Sequence, residues 1–495
     1  MSARLGLVLV LLLALLPHAV HADTKPLVAP LEMTVKVKAK PSSGPAFLHH
    51  GTPRVLSSGT HHIAGVKLEV IRGKRHPVVQ WRVDDAPRSE KLSKAKGHRL
   101  LLQSKPKRTL FVFQDLFERW HHAPGEGLRF EVRGIEFEML DGDHDGVWFE
   151  PEVDLIRRVG DTHAVPLREP HVVDDWTLTV RAFHAAKSKL DVTVAPIDAA
   201  LNAEEREVLA TLNRERERMG FLGTISLPEF AKPLRLHAHW MALHNKVQHH
   251  EQPGTKGYTR EGNAAGGASV ILTHPEHADI ATYVDIDSPI HGHVLTMPEF
   301  VQTGVGAVRA KKQKKKNESG TVYGGIWTME LEGFKHAQVK SVRFPQVWPP
   351  HMATGVPRSW TREGEDPRHP EDRGREQGYP IRVYLSPGLT ETVEPKDFEV
   401  KLFVHGKENE PLDCFVIAPG LPLGYEPTPY LRHLLGHLKP IFVLPRPVLK
   451  ADTWYVLRLK AEVEGKPFRH ETAFRTSTQR GQYRNRRVGD PRLSR

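Results

Sequence analysis

Residues 247–263 read VQHHEQPGTKGYTREGN: two adjacent histidines, a carboxylate beside them, a glycine-rich turn and a second carboxylate. In a chain with 30 histidines this is either one wall of a metal or acid/base cleft or a polar loop, and its flanks decide between them. Upstream, Asn202 is placed to cap a helix, with Glu204 and Glu205 in the first turn and Val208, Leu209 and Leu212 as an apolar stripe. The spacing predicts a second helix from Pro233 to Val247 and a third from His277 to Val284. Strand-like runs follow at FVQTGVGAV, TVYGGIWTMEL and QVKSVRFP, so residues 201–346 read as an α+β module.

Working outward, the texture changes on both sides. Residues 27–200 alternate with period two through LEMTVKVKA, TLFVF, RFEVRGIEFEML and KLDVTVAPI, which predicts a β-rich domain. Residues 347–378 are dense in Pro, Gly and charge without apolar periodicity and are expected to be a linker. Strand-like runs at sandwich spacing then give an all-β module over 379–478, and 479–495 form a basic tail. The KKQKKK run at 311–316 is expected to be an exposed hairpin loop, with an anionic envelope surface as its alternative contact.

Composition bounds the function. With 39% apolar and 26% charged residues the chain is globular, and its net charge of +11 favours anionic partners, but no nucleic-acid-binding motif is present. Arg4, the apolar run LGLVLVLLLALL and the small-residue site Val20-His21-Ala22 form a secretory signal peptide over 1–22, cut after Ala22. The run is too short to span a bilayer, and no other segment is long enough, so the mature chain is expected to be secreted to the periplasm or beyond without a transmembrane segment. Cys414 alone excludes an intrachain disulfide, and its apolar strand makes it a core thiol rather than a nucleophile.

Residues 141–152, DGDHDGVWFEPE, place Asp141, Asp143 and Asp145 at alternate positions, Gly146 at the sharp turn and Glu152 at the twelfth position. That spacing suits Ca²⁺, a hard ion needing six to eight oxygens, with the Val147 carbonyl and a bidentate Glu152 completing the shell. The flanks are strand-like rather than helical, so such an ion would staple the domain. An empty Asp/Gly turn is the plain alternative.

The central motifs follow one another in a telling order. Asn213 and Arg216 form N-x-x-R, His237, Ala238 and Met241 form HA-x-x-M, and His249 lies eight residues further on. Glu261 with Asn263 approximates G-E-N; Ser288-Pro289-x-His291 with Leu295 and Pro298 comes next, then Gly304-Val305-Gly306. This order resembles the CAP superfamily (cysteine-rich secretory, antigen-5 and pathogenesis-related-1 proteins, SCP-like), in its disulfide-free bacterial branch. Gly292 stands where the family carries an arginine, and either Asp285 or Asp287 would be the second acid. The 379–478 region, with its Gly378-Tyr379-Pro380 entry and closing AFRTST, resembles the Ig-like domains that follow bacterial CAP modules.

The resemblance implies a multidomain chain: a β-rich N-terminal domain, a CAP-type α-β-α sandwich and an Ig-like β-sandwich. It also implies a groove lined by His249, Glu261, Asp285 and His291, able to hold Zn²⁺ on His249 and His291. His237 and His239 are expected to be structural or exposed. H-E-x-x-H is missing, because residue 254 is Gly, and so is G-x-S-x-G; no catalytic residue is identified and catalysis is not indicated. The leading expectation is a secreted protein binding a lipid, glycan or peptide. The alternatives are a metal-dependent hydrolase using the same cleft, and a structural envelope protein with a vestigial site.

Overall fold

The computed structural model describes residues 27–478 apart from connecting stretches, the longest being 311–319, 329–344 and 386–395. The signal peptide, the lysine run and the basic tail therefore lie outside the described residues. What is described is mostly β-sheet with a few helices, arranged in several sheets.

In the N-terminal region, a four-stranded antiparallel sheet (31–36, 189–196, 176–184, 171–173) faces a six-stranded one that includes 126–132, 135–140 and 155–158. Period two explains the facing: Leu128, Phe130 and Val132 are buried while Glu131 between them is exposed. Phe137 meets Trp176 edge-on across the core, with ring centroids 6.3 Å apart. Two further four-stranded sheets lie between residues 54 and 124.

The central region is three-layered. A sheet in the order 269–274, 322–327, 305–309 is antiparallel throughout. Helices α1 (Ala203–Arg218) and α4 (Ala278–Asp287) pack on one face, and α2 (Pro228–His244), which carries α3 (Arg260–Gly267), on the other. Alternation along the strands sorts the faces: Val270 and Leu272 join α1 and α4, whereas Ile271 joins Trp240 and Met241 of α2. Helix α2 lies almost on the sheet backbone, because the strand residues beneath it are glycines; a Cβ on Gly306 would sit 2.3 Å from Arg235 N. Asn202 does cap α1, accepting from Glu205 N at 3.0 Å while Glu205 Oε2 accepts from Asn202 N at 2.8 Å. Short α5 (Pro289–Leu295) follows α4 after Ser288.

The last region is a pair of four-stranded sheets, 346–348/381–384/441–445/414–417 and 353–356/466–476/454–463/396–404. Two expectations are corrected here. Part of the 347–378 stretch expected to be linker is strand, since 346–348 pairs with 381–384, 353–356 pairs with 466–476, and Trp348 and Trp360 are buried. Strands of two to four residues among Pro and Gly are too short to show a period. The sandwich is also not all-β, because helix α6 (Pro429–Leu438) packs Leu431 and Leu435 onto its core. One apolar core runs from Leu201 to Phe474, joining the central and C-terminal regions.

Candidate functional site

The quoted stretch folds into a clasp between α2 and α3. Gly254 and Gly257, both at φ 80°, make the turn that brings 251 back beneath 259. Buried Glu251 is its centre. Its Oε2 accepts from Thr259 N at 2.8 Å, its Oε1 lies 3.2 Å from His237 Nδ1, and its own N–H donates to Asn263 Oδ1 at 2.8 Å. The His237 Nε2 lies 2.9 Å from the Gln248 carbonyl. Both ring nitrogens thus face oxygen atoms. Burial lowers the His237 pKa against the pull of Glu251. Gly262 and Gly266, four residues apart, permit the close approach; Cβ atoms there would meet Glu251 Oε1 at 2.4 Å and His237 Cε1 at 2.4 Å.

Half-buried His249 sits at the far end of this clasp, its Nδ1 donating to the Gly266 carbonyl at 2.9 Å. Glu261 is exposed on the first turn of α3, where a carboxylate favours the helix N-terminus. The carboxylate of the cluster is Glu251, which the sequence reading passed over. Its signal was its place beside His249 and His250, but no motif spacing marks a residue whose partners are a backbone N–H and a histidine fourteen positions upstream.

His291 and Asp285 meet at the other predicted half. His291 Nδ1 lies 2.7 Å from Asp285 Oδ1, with Asp285 at 2% and His291 at 9% exposure. Pro289 at the start of α5 and extended Ser288 turn the chain so that residues six apart, on successive helices, face each other. Asp287, the other candidate acid, instead accepts from Tyr379 OH at 2.8 Å. Asn213 and Arg216 are structural. Asn213 Nδ2 donates to the Asp174 and Thr224 carbonyls, and Arg216 to those of Leu222, Leu295 and Met297.

Among the described residues, only Asp141, Asp143 and Asp145 bring three donor atoms within 4.8 Å of one another. His249, Glu261, Asp285 and His291 do not gather as three, while a zinc centre uses three or four protein ligands.

The aspartate triad is a group that could hold a cation. Asp145 N donates to Asp143 Oδ1 at 3.2 Å and Val147 N to Asp145 Oδ1 at 2.6 Å, turning the loop so that alternate carboxylates converge. Gly146 and Glu152 lie outside the described residues. Asp154 clamps the loop base, accepting from Gly142 N at 3.1 Å and Glu150 N at 3.0 Å. Glu150 stands by the triad; burial, then Asp145 and Asp143, raise its pKa.

A further polar pocket, about 240 Å³ to its open mouth, lies where the N-terminal region meets α1 and is lined by Arg157, Arg158, Asp161, His163, His171 and Glu217 among others. Arg158 bridges Asp174 at 2.6 Å and Glu217 at 3.2 Å. Burial raises the Glu217 pKa to about 8, and lowers His163 to about 4 and His171 to about 3.

Among the described residues no helix is long and apolar enough to cross a membrane. No family model matches the chain, and no curated protein sequence matches it. Among solved structures, the chain is similar to an extracellular protein containing an SCP domain from Bacillus anthracis str. Ames, at 11% identity and a TM-score of 0.19, over 56% of this chain and 88% of that one. A likeness at that score decides neither fold nor function.

Proposed function

We propose that this chain is an exported binding protein whose central module recognises a lipid, glycan or peptide through the Asp285–His291 pair, with calcium on Asp141, Asp143 and Asp145 stapling the N-terminal region. The observation that carries the reading is the 2.7 Å hydrogen bond between Asp285 and His291. A buried carboxylate on Nδ1 fixes the orientation of the imidazole ring. A recognition imidazole needs that preorganisation, and it requires no metal. Hydrolysis finds less support, because His249 and His291 do not gather a third donor around one point. Export rests on the leader at 1–22.

The test is a binding screen with glycan fragments, lipid vesicles and a peptide library, run on the wild type beside His291→Gln, Asp285→Asn and His249→Gln. A ligand whose affinity drops about tenfold in the first two, the value of one hydrogen bond to a charged or polarised group, supports the reading. Equal affinity in all variants sinks it.

A further inference from the structure

The corner that carries Asp285 and His291 is built against the C-terminal sandwich. Arg382, on the 381–384 strand, is fully buried, and its guanidinium crosses to the corner. Its Nη2 donates to the Ser288 carbonyl at 2.7 Å and to the Ile286 carbonyl, and Nη1 lies 3.4 Å from Thr296 Oγ1. These acceptors bracket the segment from the end of α4 to the end of α5. Room for the guanidinium exists because residue 292 is glycine: a Cβ there would sit 2.1 Å from Arg382 Nη2. Neighbouring sandwich residues reach the same segment. Tyr379 OH donates to Asp287 while accepting from Trp348 Nε1 at 3.0 Å, and Tyr384 OH donates to the His293 carbonyl at 2.9 Å beneath the stacked His293 ring.

We propose that Arg382 is the positioning residue of the Asp285–His291 pair, so that the C-terminal sandwich is a working part of the recognition corner and not a spacer. Asp285 and His291 stand on different helices joined only through Ser288, so neither helix sets their separation by itself. The guanidinium ties both sides of that joint at once, with a fixed fork that meets acceptors on α4, on the joint and just past α5. A lysine ammonium is a point donor and cannot hold the same three. The proposal rests on the reading of Asp285–His291 as the recognition pair.

The test uses the full chain and labels single histidines with diethyl pyrocarbonate, read by peptide mass spectrometry, alongside amide hydrogen exchange. In Arg382→Lys and Arg382→Gln, His291 is expected to react about tenfold faster, with faster exchange over 286–296, as a locally opened segment does. His237 and His249, on the α2–α3 face, keep their wild-type rates, and Tyr379→Phe leaves His291 nearly unchanged. Should Arg382→Gln not fold, Arg382→Lys, which keeps the charge and most of the bulk, carries the test. An unchanged His291 rate overturns the proposal. So does a parallel rise at His237, His249 and His291, which would make Arg382 a general packing residue. The recognition reading is scored separately: a wild type that binds nothing in the screen while His291 still answers to Arg382 removes that reading and leaves the positioning role standing.

Discussion

Replacing Gly306 by alanine tests the seat of α2 on the central sheet. The new Cβ would lie 2.3 Å from Arg235 N, 2.4 Å from Leu234 C and 2.5 Å from Leu234 Cβ. Ordinary carbon contacts are about 3.5–4.0 Å, so α2 must retreat by roughly 1 Å or the strand must bend. Two of the obstacles are backbone atoms, which no rotamer change can move aside. Overpacking of this kind costs about 1–3 kcal/mol, and the upper end is expected here. A gain of up to about 1 kcal/mol from leaving glycine in a strand interior offsets part of it. Gly436 is the matched control: it lies in α6, is exposed, and has nothing within 4 Å of an added Cβ. Gly436→Ala should therefore stabilise by about 0.8–1 kcal/mol through helix propensity. Urea unfolding followed by far-ultraviolet circular dichroism and tryptophan fluorescence measures both, because one core spans Leu201 to Phe474. A Gly306→Ala midpoint equal to or above wild type would refute the close seating of α2.

Glu251→Ala strands the half-buried Thr259 N–H and the buried His237 imidazole and should cost about 1–3 kcal/mol, whereas exposed Glu261→Ala should stay within about 0.5 kcal/mol in the same denaturation assay. Stability should fall on both sides of neutrality. His163, His171 and His293, held down to about 4, 3 and 3 by burial, bind protons more readily unfolded than folded, so stability is lost as pH drops below 6.5. Glu217, raised to about 8, binds its proton more readily folded, so its contribution is fully present below 4.5 and is lost as pH rises toward 8. Glu217→Gln should flatten that alkaline limb in thermal melts across pH, and an unaltered limb would clear Glu217 of the role. Calcium, but not magnesium at equal ionic strength, should raise the melting temperature of the wild type, and Asp143→Asn with Asp145→Asn should abolish the rise. Equal responses to both ions would mean only general screening.

Local interactions were legible in the residues. Asn202 and Glu205 close a capping box three residues apart, period two marks the buried side of Leu128, Phe130 and Val132, and alternate aspartates at 141–145 converge because two-residue spacing turns them inward. The sequence named His291 and left Asp285 and Asp287 open as its acid; the Ser288–Pro289 turn between α4 and α5 sets Asp285 against His291. Tertiary structure alone decided the rest. Glu251 rather than Glu261 holds the clasp because burial, which composition does not display, selects the carboxylate that can satisfy two donors at once. Residues 346–360 enter the sandwich through strand pairs whose partners lie tens of residues away or more than a hundred. Arg382 reaches the corner from 94 residues beyond Ser288, and Gly292 is explained only once that guanidinium occupies its space. Contacts of such separation leave no period in the chain, because they are set by which faces the core brings together and not by the spacing of residues along it.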